Sequence, residues 1–360
     1  MKYKWGELIS LEYGKPVKDK AKADGKYPVF GTNGQIGTSD LPPLCNGSSF
    51  ILGRKGAYRG VHYSEVPFSV IDTAFYANNL HPELLNIKWA YYKFLTYDIN
   101  SMDSGSAIPS TDRYEIYGIE VDLPSVEEQQ RVVTLLECFD RKLLINEKIN
   151  ENLEQQAKAL YQQMFIENTC PDWIEGSLRD IADITMGQSP SGSSYNEDGI
   201  GTIFFQGRAE FSFRFPTIRL YTTEPKRMAY ANDILMSVRA PVGDLNIAHT
   251  DCCIGRGLAA IHSKTNHQSF VLYTMFSLRK QLDVFNGEGT VFGSINRNSL
   301  NDMPILIPSD ETIEEFEKIV APMDAAIRNN YDEICRLQAV RDSLLPRLMS
   351  GELDVSSLNI

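Results

Sequence analysis

Gly105-Ser-Ala-Ile-Pro-Ser-Thr-Asp-Arg-Tyr-Glu-Ile-Tyr-Gly-Ile-Glu-Val-Asp-Leu-Pro-Ser125 decides the reading of this chain, because it returns 184 residues later. Gly289-Thr-Val-Phe-Gly-Ser-Ile-Asn-Arg-Asn-Ser-Leu-Asn-Asp-Met-Pro-Ile-Leu-Ile-Pro-Ser309 aligns to it without a gap. The leading glycines, Ser110 with Ser294, Arg113 with Arg297 and the closing Pro-Ser pairs coincide. Self-similarity at one fixed offset marks a duplicated structural unit. Each copy leads into an acidic helix start and a long helical pattern. Each half opens on a tryptophan-containing stretch, Trp5-Gly-Glu-Leu and Trp173-Ile-Glu-Gly-Ser-Leu.

The order is therefore globular, helix, globular, helix, with segments at 1–125, 126–167, 168–309 and 310–360. In the first helical segment Val132, Leu136, Phe139, Leu143, Leu153, Ala157, Leu160 and Met164 form a heptad stripe, interrupted by Asn146 and Asn150. In the second the stripe is Phe316, Val320, Met323, Ile327, Ile334, Leu337, Leu344 and Leu348, with Asn330 and Arg341 at polar positions. Ser125 with Glu128 reads as a capping box, and Ser309 with Thr312 and Glu315 as a looser start. Gly351 marks the second helix's end, while Pro322 predicts a kink or a late start. One such stripe fits a helix facing a core. Two, each about 40 residues and about 60 Å long at 1.5 Å per residue, are too long for one module to cover. They pair with each other more readily, antiparallel, because the chain must return through a whole module between them.

The modules read as mixed α and β. Short strand-like runs begin at Phe50, Val61, Phe68 and Ala74 in the first, and at Thr202, Asp233, Leu245 and Leu258 in the second. Trp89–Tyr97 and Phe270–Leu282 read as short helices. The fold class expected is α+β: two mixed domains and two long helices forming an antiparallel coiled coil, with a pseudo-two-fold internal repeat.

Composition excludes other classes. With 360 residues, 42% hydrophobic, the chain can bury real cores and is neither collagen-like nor disordered. It has no apolar run of transmembrane length and no apolar leader after Met1, so the reading is cytoplasmic. Six cysteines without a Cys-x-x-Cys pair fit reduced thiols rather than a zinc site. The net charge of −12 argues against a nucleic-acid binder until its distribution is read. Segment 126–167 holds 5 basic and 8 acidic residues and 310–342 holds 4 and 9, so most of the excess lies on the helices.

Catalytic motifs fail. There is no Walker A loop. The glycines of Phe30–Gly37 are spaced for a turn rather than a dinucleotide loop. Pro42-Pro43 lacks the aromatic of an amino-methyltransferase tetrapeptide, and His262 and His267 lack further ligands. The acid-x-Lys triplets at Asp24, Asp140 and Glu224 are common chance patterns. No catalytic and no metal-ligating residue is assigned.

Basic clusters carry more. Gly53-Arg54-Lys55-Gly56-Ala57-Tyr58-Arg59-Gly60 has three cations, no acid, and glycines that let backbone approach a phosphate. In the second module, Gln206, Arg208, Arg214 and Arg219 interleave with Phe211, Phe213 and Phe215. Arg239 and Arg256 sit at Gly-rich turns. Arginines among aromatics and amides suit base edges and phosphates.

These residues resemble the specificity (S) subunits of Type I restriction–modification systems. The resemblance is carried by ILGRKGAYRGVHYSEVPFSVIDTAFYA (51–77), DILMSVRAPVGDLNIAHTDCCIGRGLAAI (233–261), LPSVEEQQRVVTLLECFDRKL (123–143), IPSDETIEEFEKIVAPMD (307–324) and LLPRLMSGELDV (344–355). It covers essentially the whole chain. It implies two target recognition domains, each reading half of a gapped DNA site, spaced by a coiled coil. It implies two methyltransferase (M) subunits, which use S-adenosylmethionine, and restriction (R) subunits, which use ATP and Mg. The S subunit itself is non-catalytic and binds no cofactor. By family placement and charge, the expected DNA-binding residues are Arg54, Lys55, Tyr58, Arg59, Gln206, Arg208, Arg214 and Arg239, with Arg256 set aside as structural. The rivals are a stand-alone methyltransferase or Type II-like enzyme fragment with an unrecognised active site, and a scaffold that binds no DNA.

Overall fold

The computed structural model describes residues 1–18, 24–102, 109–287 and 293–356. Gly105 and Gly289, which open the two repeats, lie outside the described residues. The chain forms two compact units, Met1–Asn146 with Glu333–Ile360, and Glu147–Asp332.

In unit 1 the elements are β1 (Lys2–Lys4), α1 (Trp5–Leu8), β2 (Ile9–Tyr13), β3 (Tyr27–Gly31), β4 (Gly34–Ser39), β5 (Ser49–Gly53), β6 (Val61–Ser64), β7 (Ser69–Val70), β8 (Ala74–Asn79), α2 (Ile87–Phe94), α3 (Arg113–Gly118) and β9 (Glu120–Asp122). One antiparallel sheet runs β2-β8-β5-β6, a second runs β4-β3-β7 with β3 and β7 parallel, and β1 pairs with β9. Successive strand residues face opposite ways. Phe50 and Leu52 of β5 therefore join one core with Trp5, Trp89 and Phe94, while Ile51 joins a second with Phe30 and Phe68. Both faces of β5 are covered, which is why it reads as an unbroken apolar run.

Unit 2 repeats the plan. Its elements are β10 (Ile174–Ser177), α5 (Leu178–Ile181), β11 (Ala182–Met186), β12 (Tyr195–Asn196), β13 (Thr202–Phe205), β14 (Leu220–Thr222), β15 (Met228–Ala229), β16 (Ile234–Ser237), β17 (Leu245–Ile247), β18 (Cys252–Ile254), β19 (Leu258–Ser263), α6 (Gln268–Ser277), α7 (Arg279–Asp283), α8 (Arg297–Asn301) and β20 (Pro304–Ile307). The sheet β11-β19-β16-β17 has the order of β2-β8-β5-β6, β13 runs parallel to β18, and β10 pairs with β20. Asp112 caps α3 and Asn296 caps α8, each through its side chain, at the same offset of 184. The structural counterpart of Trp5 is Leu178, the first residue of α5. Trp173 precedes β10 and packs on Phe165, so the two tryptophans are not equivalent.

The long helices are α4 (Val126–Tyr161), which passes into a π-helical turn at Gln162–Glu167, and α9 (Asp310–Met349). Ser125 and Glu128 close the reciprocal capping box, Ser125 N donating to Glu128 Oε2 at 2.9 Å and Glu128 N to Ser125 Oγ at 3.3 Å. The late start expected from Pro322 does not occur. The helix begins at Asp310 and continues through Pro322, whose missing N–H removes one helical bond, that to the Lys318 carbonyl, on an exposed side of the helix. The expected Phe270–Leu282 helix is split into α6 and α7. Among the described residues no helix is long and apolar enough to cross a membrane.

Within unit 1, Val132, Leu136, Leu143 and Ile334 are buried and Phe139, Leu337 and Leu344 half-buried. Within unit 2, Phe316, Val320 and Ile327 are buried and Leu153 and Leu160 half-buried. The polar interruptions find one another. Asn146 Nδ2 donates to Glu333 Oε2 at 2.7 Å in unit 1, and Asn330 Nδ2 to Asn150 Oδ1 at 2.8 Å in unit 2. Because residue numbers rise on one helix as they fall on the other, the paired segments run antiparallel in each unit.

An aspartate anchors each module to a long helix. In unit 1, Tyr92 of α2 donates to Asp140 of α4 at 2.6 Å, and Arg341 of α9 donates to the same carboxylate at 3.0 Å. In unit 2, Tyr273 of α6 donates to Asp324 of α9 at 2.9 Å, and Arg214 donates at 2.5 Å. Asp140 and Asp324 are again 184 apart.

Phe316 is fully buried and lies 5.2 Å from Phe165, 5.8 Å from Tyr161 and 5.9 Å from Tyr273, ring centre to ring centre. Phe316→Ala is expected to cost about 3–5 kcal/mol, whereas Ile319→Ala, on the exposed side of the same helix, stays within about 0.5 kcal/mol. Urea unfolding of both variants measures the contrast.

Candidate nucleic-acid interface

In unit 1 the β5–β6 turn carries the basic cluster. Its backbone is fixed from below: Arg54 N and Lys55 N both donate to Thr73 O, Gly56 N donates to Pro109 O, and Lys55 bridges to Ser110. A Cβ on Gly53 would lie 2.8 Å from Thr32 O, so only glycine fits there. Arg54 is half-buried, its guanidinium 4.8 Å from the Tyr13 ring centre and Nη1 donating to Asp72 O at 3.0 Å. Arg113 lies 4.9 Å from the same ring, so Tyr13 is flanked by two guanidiniums. Lys55 is half-exposed and Tyr58 is 64% exposed.

Arg59 does not belong with them. It is 2% exposed, and its guanidinium donates to Ile99 O at 3.2 Å and Asn100 O at 2.7 Å. It ties the turn to the chain after α2, so the expectation that it contacts DNA is withdrawn.

In unit 2 the β16–β17 turn holds the equivalent place. Ala240 N donates to Gly293 O and Arg239 bridges to Ser294, repeating Gly56 with Pro109 and Lys55 with Ser110 at the offset of 184. Gln206, Arg208, Arg239 and Arg256 converge with Arg219 on a concavity of about 370 Å³. Four guanidiniums face one carboxylate there, Glu210, which is buried and paired to Arg219 at 2.8 Å. Arg208 is held at 2.7 Å by Asp244, which also takes Arg279 at 2.7 Å. The side chains of Arg239 and Arg256 are exposed and have no partner among the described residues.

Against the expectation from the sequence, Arg256 is not structural; only its flanking glycines are. A Cβ on Gly255 or Gly257 would lie 2.8 Å from Gln206 O, so the turn is all backbone and the guanidinium projects outward. Arg214 is the reverse. It is buried, takes φ +68°, and donates to Tyr273 and Asp324 with Glu154 at 3.6 Å. Burial holds the Asp324 carboxyl above the usual carboxylate range despite that pull. Arg214 therefore fastens the 211–217 segment to the long helices and is likewise withdrawn as a DNA contact.

Tyr13, Arg113 and Arg219 are not among the DNA contacts expected from the sequence, although Arg219 belongs to the basic cluster named there. The repeat had flagged Arg113, but nothing local to it revealed the stack on Tyr13, a hundred residues away. Among the described residues no group of three His, Cys, Asp or Glu could hold a metal ion. His262 is bonded to Asp233 at 2.7 Å.

The family model for the Type I restriction modification DNA specificity domain matches residues 1–155 and 171–335. The chain is 32% identical to the type I restriction enzyme MjaX specificity subunit of Methanocaldococcus jannaschii, over 69% of this chain and 62% of that protein. It is 24% identical to the MjaIX specificity subunit of the same organism, over 75% and 70%. Its fold is similar to that of the Type-I restriction-modification system S subunit from M. genitalium, with TM-score 0.65 at 17% identity, covering 97% of this chain and 95% of the other.

Arg214→Ala leaves Asp324 buried without its cation and is expected to cost about 3–5 kcal/mol. Arg239→Ala changes an exposed, unpaired side chain and stays within about 0.5 kcal/mol. Denaturant titration separates an anchoring arginine from a surface one.

Proposed function

Because the chain belongs to the Type I restriction–modification DNA specificity family, we propose that it is the sequence-reading subunit of a Type I complex, each unit reading one half of a gapped DNA site. The observation that carries this is the repeated edge. Two turns with the same backbone bonds present Lys55 in one unit and Arg239 in the other, each beside further cations. A strand-borne edge of arginines, an amide and an exposed tyrosine suits base and phosphate contacts.

The chain itself is the non-catalytic component in this reading. Chemistry belongs to two methyltransferase subunits using S-adenosylmethionine and to restriction subunits using ATP and Mg. The acidic faces of α4 and α9 repel DNA and suit docking of those subunits. The two helices serve as an antiparallel coiled-coil spacer, about 54 Å and 60 Å long for 36 and 40 residues. That is the order of the 34–36 Å between successive major-groove faces. A cytoplasmic location follows from the DNA target.

The test is methylation mapping in cells that carry the chain with a methyltransferase partner. A bipartite methylated motif is expected. Inserting four residues in the middle of 126–166 should lengthen the spacer and leave both half-sequences intact; altered half-sequences would sink the spacer role. Methyl transfer by the purified chain with S-adenosylmethionine alone would favour the stand-alone enzyme.

Lys55 suits a phosphate. Lys55→Ala is expected to weaken binding about equally on all sequences and to lower the slope of log K against log salt by about 1. Filter binding at several salt concentrations measures it.

A further inference from the structure

The turn that ends at β8 in unit 1 and the turn that ends at β19 in unit 2 are the same piece of backbone. Ala74 N donates to Ile71 O, and Leu258 N to Gly255 O. Ile71 N donates to Phe30 O, and Gly255 N to Phe205 O. Arg54 N donates to Thr73 O, and Val238 N to Gly257 O. These bonds bracket one residue in each turn, Asp72 and Arg256, again 184 apart. Both are exposed, and neither side chain has a partner among the described residues. Arg256 lines the concavity with Arg239 and Gln206, and the bond to Thr73 places Asp72 next to Lys55.

So two equivalent points on two equivalent edges carry opposite charge. A carboxylate cannot be a phosphate contact, because both are anionic. At a DNA-facing edge it can only accept, and the major-groove donor that matches a carboxylate is the cytosine N4 amino group. A guanidinium at the same point is a fork of donors, matched to the O6 and N7 acceptors of guanine. We propose that position 72/256 is a specificity-determining site, with Asp72 reading a cytosine in one half-site and Arg256 a guanine in the other. The proposal rests on the DNA-reading function above and adds to it which base each half selects.

The experiment uses the full chain co-expressed with its methyltransferase partner, with methylated sites mapped genome-wide for the wild type, Asp72→Ala and Arg256→Ala. Arg256→Ala is expected to relax a single guanine position, discrimination there falling roughly 10- to 100-fold. Asp72→Ala relaxes a single cytosine position in the other half to a similar extent. Thermal melting of each variant checks folding, and Arg256→Lys and Asp72→Asn replace any variant that melts lower.

Unchanged stringency in either variant, relaxation of both positions in the same half, or relaxation at a different base overturns the assignment while leaving the subunit a DNA reader. A wild type that directs no sequence-specific methylation overturns the DNA-reading function and this assignment together.

Discussion

A carboxylate on a long helix, set against a module, needs donors, and each unit supplies a tyrosine and an arginine. The tyrosine comes from the same place in both repeats, α2 and α6. The arginine does not. In unit 1 it is Arg341, reaching across from the other long helix; in unit 2 it is Arg214, from the segment just before β14. The position of Arg341 is matched in the repeat by Ala157, which carries no cation. A buried ion pair adds little net stability over an apolar one, but removing one partner is costly. The duplication has therefore kept the anchor and replaced its cation, and the replacement fixes part of the recognition module to the helices.

The same divergence on constant backbone runs through the paired turns of the two units. Strand order, parallel pairing, helix caps and turn bonds repeat, while the side chains at the turn tips differ: Lys55 against Arg239, Asp72 against Arg256. Backbone hydrogen bonds fix where a side chain leaves the surface without constraining what it is. A scaffold built this way can change the side chains it presents without changing how it folds.

Much of the fold was legible because its signals are local or periodic. The gapless repeat at 184, the Ser125–Glu128 box and the apolar runs at Phe50 and Ile234 name their elements directly. The edge strands β1, β9, β10 and β20 were not legible, being partly exposed and only three or four residues long, too short for alternation to mark them. The site was read less well than the fold. Arg59 and Arg214 look like any arginine among glycines or aromatics, yet both are buried on carbonyls or carboxylates distant in sequence.

Sequence alone determined the duplication, the long helices and which residue types crowd near each turn, since repetition and heptad periodicity need no knowledge of contacts. Tertiary structure decided which cations face outward and which hold the molecule together. That choice depends on what lies opposite each guanidinium: the carbonyls of Ile99 and Asn100 for Arg59, the carboxylate of Asp324 for Arg214, and solvent for Arg239 and Arg256. Burial of a charge is set by its partners in space, and no spacing along the chain encodes them.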